Sequence, residues 1–330
     1  MTGLDPDRRS RLLGVKLATL AREHLDLDGE PLTYPGGAAL AVPPRGAVLA
    51  DENPGRSLGP ALAWSRRNGV ENLHLLTEDA PGLLSRRAAE FAAPPAVWWV
   101  RGRDLHAVEP EPHATAASPS DAVLAFEPQL LAAGCDVRVE HGSLIGEILG
   151  LEVARVVEPV DGPPRLEVGV GRHDREAFAV IHGDLPTDAA LAEVVASVRR
   201  YRRADVPAHP LHRLAAERWL REVVIADPAL VGAAALDAAE GPVPRPNVRE
   251  SWPAVATGDG VVVVCSIGID LDLVPFAADA RLAHGAPGAR LVLVVPARDD
   301  HRVTRELNEL LRQPAEVVTA PDDWRSANVR

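Results

Sequence analysis

Two stretches of this chain alternate short β-rich runs with amphipathic helical runs, and that alternation limits the fold more than any other feature. Residues 47–50, 73–76 and 96–100 read as strands, separated by helices over 58–68 and 83–91. Residues 261–265, 291–295 and 315–319 repeat that order around helices over 274–284 and 303–311. Strands joined through helices by short loops pair in parallel with right-handed crossovers. Both stretches are therefore expected to be β-α-β-α-β units with mostly parallel strands. They match in pattern more than in letters, which raises duplication as one explanation.

Between them, residues 121–133 read as a helix capped by Ser120 and interrupted near Pro128. Residues 137–140, 145–157 and 165–170 read as strands, and 187–203 as a helix capped by Thr187. The expected fold class is α/β: two β-α-β-α-β units flanking a central αβββα segment with a mixed sheet. Proline-rich stretches at 106–120 and 241–253 read as a long surface loop and a connector. They divide the chain into an N-terminal α/β unit over 1–110, a central segment over 120–240 and a C-terminal α/β unit over 254–330. Whether the terminal units share a sheet is left open by the sequence. A further amphipathic helix spans 210–225, with Leu211, Leu214, Trp219, Leu220 and Val223 apolar.

A chain of 330 residues with 46% hydrophobic residues can bury a sizeable core, and with aromatics at 4% that core must be built from Ala, Val and Leu. Lys16 is the only lysine, so arginine carries the rest of the positive charge. A net charge of −12 argues against broad coating of a polyanion but leaves room for a local basic groove. Cys135 and Cys265 lack any CxxC partner and are expected as buried thiols. The first residues lack the apolar stretch of a secretory signal, and the longest purely apolar strand, 261–265, is far too short to span a membrane. The expectation is a soluble, cytoplasmic protein with no membrane partner.

Charged chemistry concentrates between residues 140 and 176, where Glu147, Glu152 and Glu167 sit inside apolar runs flanking a turn at 161–164. A carboxylate in a buried strand is costly unless it is paired or binds a cation. In one continuous strand over 145–157, alternation puts Glu147 and Arg155 on one face and Glu152 on the other, unless a bulge at Gly150 resets the register. An ion-pair ladder between such carboxylates and arginines is the alternative to a metal site.

The central order of helix, three strands, helix and a later strand at 261–265 resembles the core of the PD-(D/E)XK nucleases, over roughly a third of the chain. The resemblance implies that Glu152 and Glu167 take the two acidic positions, with Glu140 or Glu147 as an accessory carboxylate. Such a set would hold Mg²⁺ through oxygen ligands and activate a bound water. The lysine of the family motif is absent, because Val168 and Gly169 follow Glu167. Arg172 or Arg155 would have to supply the charge, and a guanidinium is a poor general base. Arg172 completes the implied catalytic set of Glu152, Glu167 and Arg172, and the resemblance admits a cleaving and a non-cleaving member equally.

Other segments carry weaker signals. Gly169 to Arg175 could clamp an anion between Arg172 and Arg175, and His173, Asp174, His182 and Asp184 could ligate a metal, although their spacing matches no motif. Arg199, Arg200, Arg202 and Arg203 cluster at a helix end, where they complement the helix dipole or contact nucleic acid. The loops 51–59, 268–272 and 298–301 follow strands of the terminal units, where α/β sheets bind ligands. No GxSxG or HExxH is present, which removes serine hydrolases of that type and zincins. Two readings remain: a metal-dependent nuclease or phosphodiesterase acting on nucleic acid or another phosphate-bearing ligand, and a non-catalytic α/β binding or scaffold protein with no metal site.

Overall fold

The computed structural model describes residues 5–114, 117–159, 161–171 and 186–327. The fold is α/β. Residues 1–113, 269–282 and 301–315 form one compact unit, and 114–268, 283–300 and 316–330 form a second.

The first unit is built on a six-stranded sheet in sequential order: β1 (Leu32–Tyr34), β2 (Gly37–Val42), β3 (Arg45–Ala50), β4 (Asn72–Thr77), β5 (Ala96–Arg101) and β6 (Asp104–Ala107). β3, β4 and β5 are parallel, and the outer pairs are antiparallel hairpins. Helix α1 (Pro6–Leu25) lays Leu17, Leu20 and Ala21 over Leu40, Leu49, Leu76 and Val100 of the sheet. Helices α2 (Leu58–Arg67) and α3 (Pro81–Ala88) make the crossovers.

The second unit holds two sheets. The first is an antiparallel meander of β7 (Asp136–Glu140), β8 (Ser143–Ile148), β9 (Leu151–Val157) and β10 (Arg165–Val168). The second comprises β11 (Asp237–Ala239), β12 (Ala254–Gly258), β13 (Val261–Cys265), β14 (Arg290–Pro296) and β15 (Glu316–Ala320). Here β13, β14 and β15 are parallel, and β11 and β12 add antiparallel strands at one edge. Its pairing order is that of β1 to β5, so the repeat read from the sequence is a repeat of topology. The helical interruption at Pro128 resolves into α4 (Asp121–Leu124) and α5 (Glu127–Ala132), with Ser120 accepting from the Val123 amide as cap.

Two expectations about the central segment need correction. Its sheet is wholly antiparallel, not mixed, and residues 261–265 belong to the other sheet. The run 145–157 is not one strand but the end of β8, a two-residue turn at Leu149 and Gly150, and β9. Both turn residues have positive φ, 49° and 71°, as a tight hairpin turn requires. Gly150 is needed twice over, since a Cβ there would lie 2.5 Å from Cβ of Arg218 and 2.7 Å from its carbonyl carbon.

One face of the meander is apolar. Leu144, Ile148, Leu151, Val153 and Val156 pack with Leu191, Val195 and Val198 of α6 (Thr187–Tyr201). The opposite face meets α7 (Ala216–Ala226), whose Trp219, Leu220 and Val224 pack on the other side against Val261, Val263, Val292 and Val294 of the second sheet. That helix is therefore sandwiched, and its charged residues Glu217, Arg218, Arg221 and Glu222 are buried. Cys135 and Cys265 are free and buried, as expected, and burial pushes their thiols up to about 11 and about 12.

Helix α8 (Leu273–His284) and helix α9 (Arg302–Asn308) contribute their residues 273–282 and 302–308 to the first unit. In that unit Phe91, just after α3, bridges Leu311, just after α9. The pair is framed by Ala92 donating to the Leu310 carbonyl and Arg312 to that of Glu90, each at 2.9 Å. These are equivalent positions of the two repeats.

Candidate functional site

The hairpin register decides where the acidic residues of the meander point. Ile145 pairs with Arg155 and Glu147 with Glu152, with a shift between Gly146 and Glu147. The turn and this irregularity place Glu147, Glu152 and Arg155 on one face, which straight alternation would not do. Asp136 pairs with Glu147 and Glu140 with Ser143, so Glu140 shares that face as well.

What gathers on the face is a network of ion pairs. Glu147 is 1% exposed and accepts from Arg221 Nη2 at 2.9 Å and from Arg218 Nη1. Arg218 also donates to Glu140, and Arg221 to Glu222 at 2.9 and 2.7 Å. Arg138 lies 3.6 Å from Glu222. Burial alone would raise the Glu147 carboxyl, but Arg218 and Arg221 hold it down at about 2. Glu152 accepts a two-pronged pair from Arg155 at 2.9 and 2.7 Å. Glu167 stands opposite Arg155 in the register and accepts from Arg165 at 2.9 Å.

The structure thus brings Glu140, Glu147 and Glu152 onto one face but does not assemble the four carboxylates into a ligand set. Among the described residues, no three His, Cys, Asp or Glu side chains are placed to hold a metal ion. Helix α7 sets the guanidinium groups of Arg218 and Arg221 against the two oxygens of the Glu147 carboxylate. Arg172, with His173, Asp174, Arg175, His182 and Asp184, lies outside the described residues.

The arginine cluster at the end of α6 is dispersed, not displayed. Arg202 is fully buried and donates to four backbone carbonyls, those of Leu149, Leu211, Leu214 and Ala215, at 2.7–3.1 Å. It also lies over the Trp219 ring at 4.8 Å. Burial, with Arg325 and Arg245 nearby, brings its pKa down to about 9. Arg199 donates to the Gly134 carbonyl, Arg203 makes a two-pronged pair with Asp205, and Arg200 is exposed. Arg202 therefore faces inward, apart from Arg199, Arg200 and Arg203, and serves as donor to four backbone carbonyls.

Beside the ion-pair face opens a cleft of about 1520 Å³. Its floor and walls include Glu140, Glu152, Arg155 and Arg218, and its other side is the loop 244–250 with Arg245, Asn247 and Arg249. No family model, curated protein or solved structure matches this chain.

The loop at its rim is a built element. Asn247 Oδ1 accepts from the amides of Arg249 and Glu250 at 2.8 and 2.9 Å, and its Nδ2 donates to Glu250. The Val248 carbonyl accepts from the Ala215 amide, and Ser251 donates to Glu217 of α7 at 2.5 Å. Arg245 Nη2 donates to the carbonyls of Val248 and Glu250 at 3.2 and 2.7 Å. Sequence reading took this stretch for a connector. The overlooked signal is Asn247 followed by Arg249 and Glu250, a side chain that organises its own turn.

In the first unit the loops 51–59 and 268–272 do meet, for residues 52–57 and 270–272. Tyr34, Glu52, Asn53, Arg56, Asp270 and Asp272 line a cavity of about 360 Å³. Arg56 pairs with Asp270 at 2.5 Å, and Arg87 with Asp272 at 2.9 Å. Burial raises the Asp272 carboxyl to about 7 despite Arg87, with Asp270 adding to the rise.

Proposed function

We propose that this protein is a non-catalytic α/β binding protein, with the cleft of the second unit as its ligand site. The observation that carries the reading is the commitment of Glu147 to Arg218 and Arg221 in a buried interface. Mg²⁺ at that carboxylate would have to displace two buried guanidinium groups from it, leaving Arg218 with Glu140 and Arg221 with Glu222 and adding two positive charges to a buried network that is already matched, which costs several kcal/mol. The remaining carboxylates of the expected site have arginine partners too. A cleft of about 1520 Å³ exceeds the roughly 300–1,000 Å³ of small-molecule pockets and leaves room for a larger polar ligand. Among the described residues no helix is long and apolar enough to cross a membrane.

The test is a cleavage assay on labelled single- and double-stranded DNA and RNA with Mg²⁺ or Mn²⁺. The expected result is no cleavage beyond that of the Glu152→Gln, Glu167→Gln double variant. Metal-dependent cleavage lost in that variant would overturn the reading and restore the nuclease.

A further inference from the structure

We propose that the ligand of the cleft carries an oxyanion, a phosphate or a carboxylate, which docks between Arg245 and Arg249. The proposal rests on the binding-protein reading and deepens it.

Most of the deeper charged groups in the cleft are already matched: Glu140 and Arg218 to each other, and Glu152 to Arg155. Glu193 and Arg249 are exposed, and Glu250 accepts from Asn247. Arg245 differs from all of these. It is partly buried, and among the described residues both of its acceptors are backbone carbonyls. Its Nε is buried with no hydrogen-bond partner. A partly buried guanidinium whose hydrogen-bond acceptors are carbonyls and not a carboxylate is an expensive arrangement. Burial and the nearby charge of Arg218 bring the Arg245 pKa down to about 10 against the opposing pull of Glu217, Glu140 and Glu147, so the folded protein still penalises this cation.

An anion beside Arg245 would relieve that penalty, and the same loop brings Arg249 to the lining of the same cleft. The loop is fixed before any ligand arrives, through Asn247, through Val248 and Ala215, and through Ser251 and Glu217. A rigid loop presenting guanidinium groups into a cleft is suited to binding an oxyanion, because little ordering is left to be done on binding. Carboxylate and phosphate share the geometry that a guanidinium fork recognises.

The experiment is thermal melting and calorimetric titration of the full chain with inorganic phosphate and, separately, succinate, against sodium chloride of equal ionic strength. A saturable rise in melting temperature with one or both anions is expected, and the anion that binds more tightly identifies the source. Arg249→Ala should weaken that binding about tenfold or more, the loss typical of one charge-assisted hydrogen bond. Arg245→Met should abolish it. Arg249 is exposed, so its variant decides the matter alone if Arg245→Met does not fold. The proposal is overturned if neither anion exceeds chloride, or if Arg249→Ala binds as the native chain does. Cleavage of nucleic acid is read separately, so failure of the binding-protein reading and failure of the oxyanion site give different results.

Discussion

Arg221 donates from Nη2 to Oε2 of Glu147 across 2.9 Å, and the two side chains are 5% and 1% exposed. Arg218 reaches the other oxygen of the same carboxylate. One buried glutamate therefore joins the meander to the helix that packs on it. Removing that carboxylate charge leaves the buried network one negative charge short, with Arg218 still on Glu140 and Arg221 still on Glu222. Glu147→Gln is expected to cost about 3–5 kcal/mol in urea melting. A double-mutant cycle with Arg221→Met should give a coupling of about 1 kcal/mol or more, and additive losses would show that the pair is not coupled.

The same carboxylate sets a pH dependence. Its folded pKa of about 2 lies below its ordinary 4.5, so its contribution is complete above the ordinary value. It is lost as pH falls from there toward 2, because the unfolded chain takes up the proton first. Stability measured from pH 5 to pH 2 should fall more steeply in the native protein than in Glu147→Gln. Equal slopes would mean that the ion pairs do not stabilise the charged form.

Arg202 and Arg200 are two residues apart and should behave oppositely. Arg202→Ala strips a donor from four carbonyls, and each buried group left unsatisfied costs about 1–3 kcal/mol. The variant should melt far below the native protein or fail to fold. Arg200→Ala, at an exposed position, should stay within about 0.5 kcal/mol. Similar small effects for both would contradict the inward placement of Arg202.

Why these two arginines were indistinguishable in the sequence is a physical matter. Their neighbours in the chain are alike, and what separates them is the convergence of residues 149, 211, 214 and 215 on one guanidinium. The parallel strands of both repeats were legible because helical and β-type periods alternate there, and that local signal survives in the fold. The acidic face was legible in its cost but not in its solution. Leu149 at φ 49° and Gly150 at φ 71° make a hairpin turn inside an apolar run, and that break, open in the sequence only as a reset at Gly150, is what brings Glu152 to the face of Glu147. The arginines that answer Glu147 come from a helix more than 70 residues away, whose polar side is buried.

Asp272 in the first unit has the reverse linkage. Its folded pKa is raised from 3.8 to about 7, so the folded chain holds a proton that the unfolded chain releases. Stability should fall as pH rises through the window from about 4 to about 7, by at most about 1.4 kcal/mol per pH unit for one proton. Asp272→Asn should flatten that decline in chemical melts across the window. An unchanged slope would mean that Arg87 keeps the carboxyl charged throughout.

The most direct measurement for the account as a whole is thermal melting with and without millimolar Mg²⁺ and Mn²⁺, in the native chain and in Glu152→Gln with Glu167→Gln. A metal bound only by the folded state raises the melting temperature with its concentration. If the carboxylates belong to arginines, both proteins melt at the same temperature with and without metal. A saturable, metal-dependent rise in the native chain that disappears in the double variant would contradict that assignment and return these glutamates to a cation.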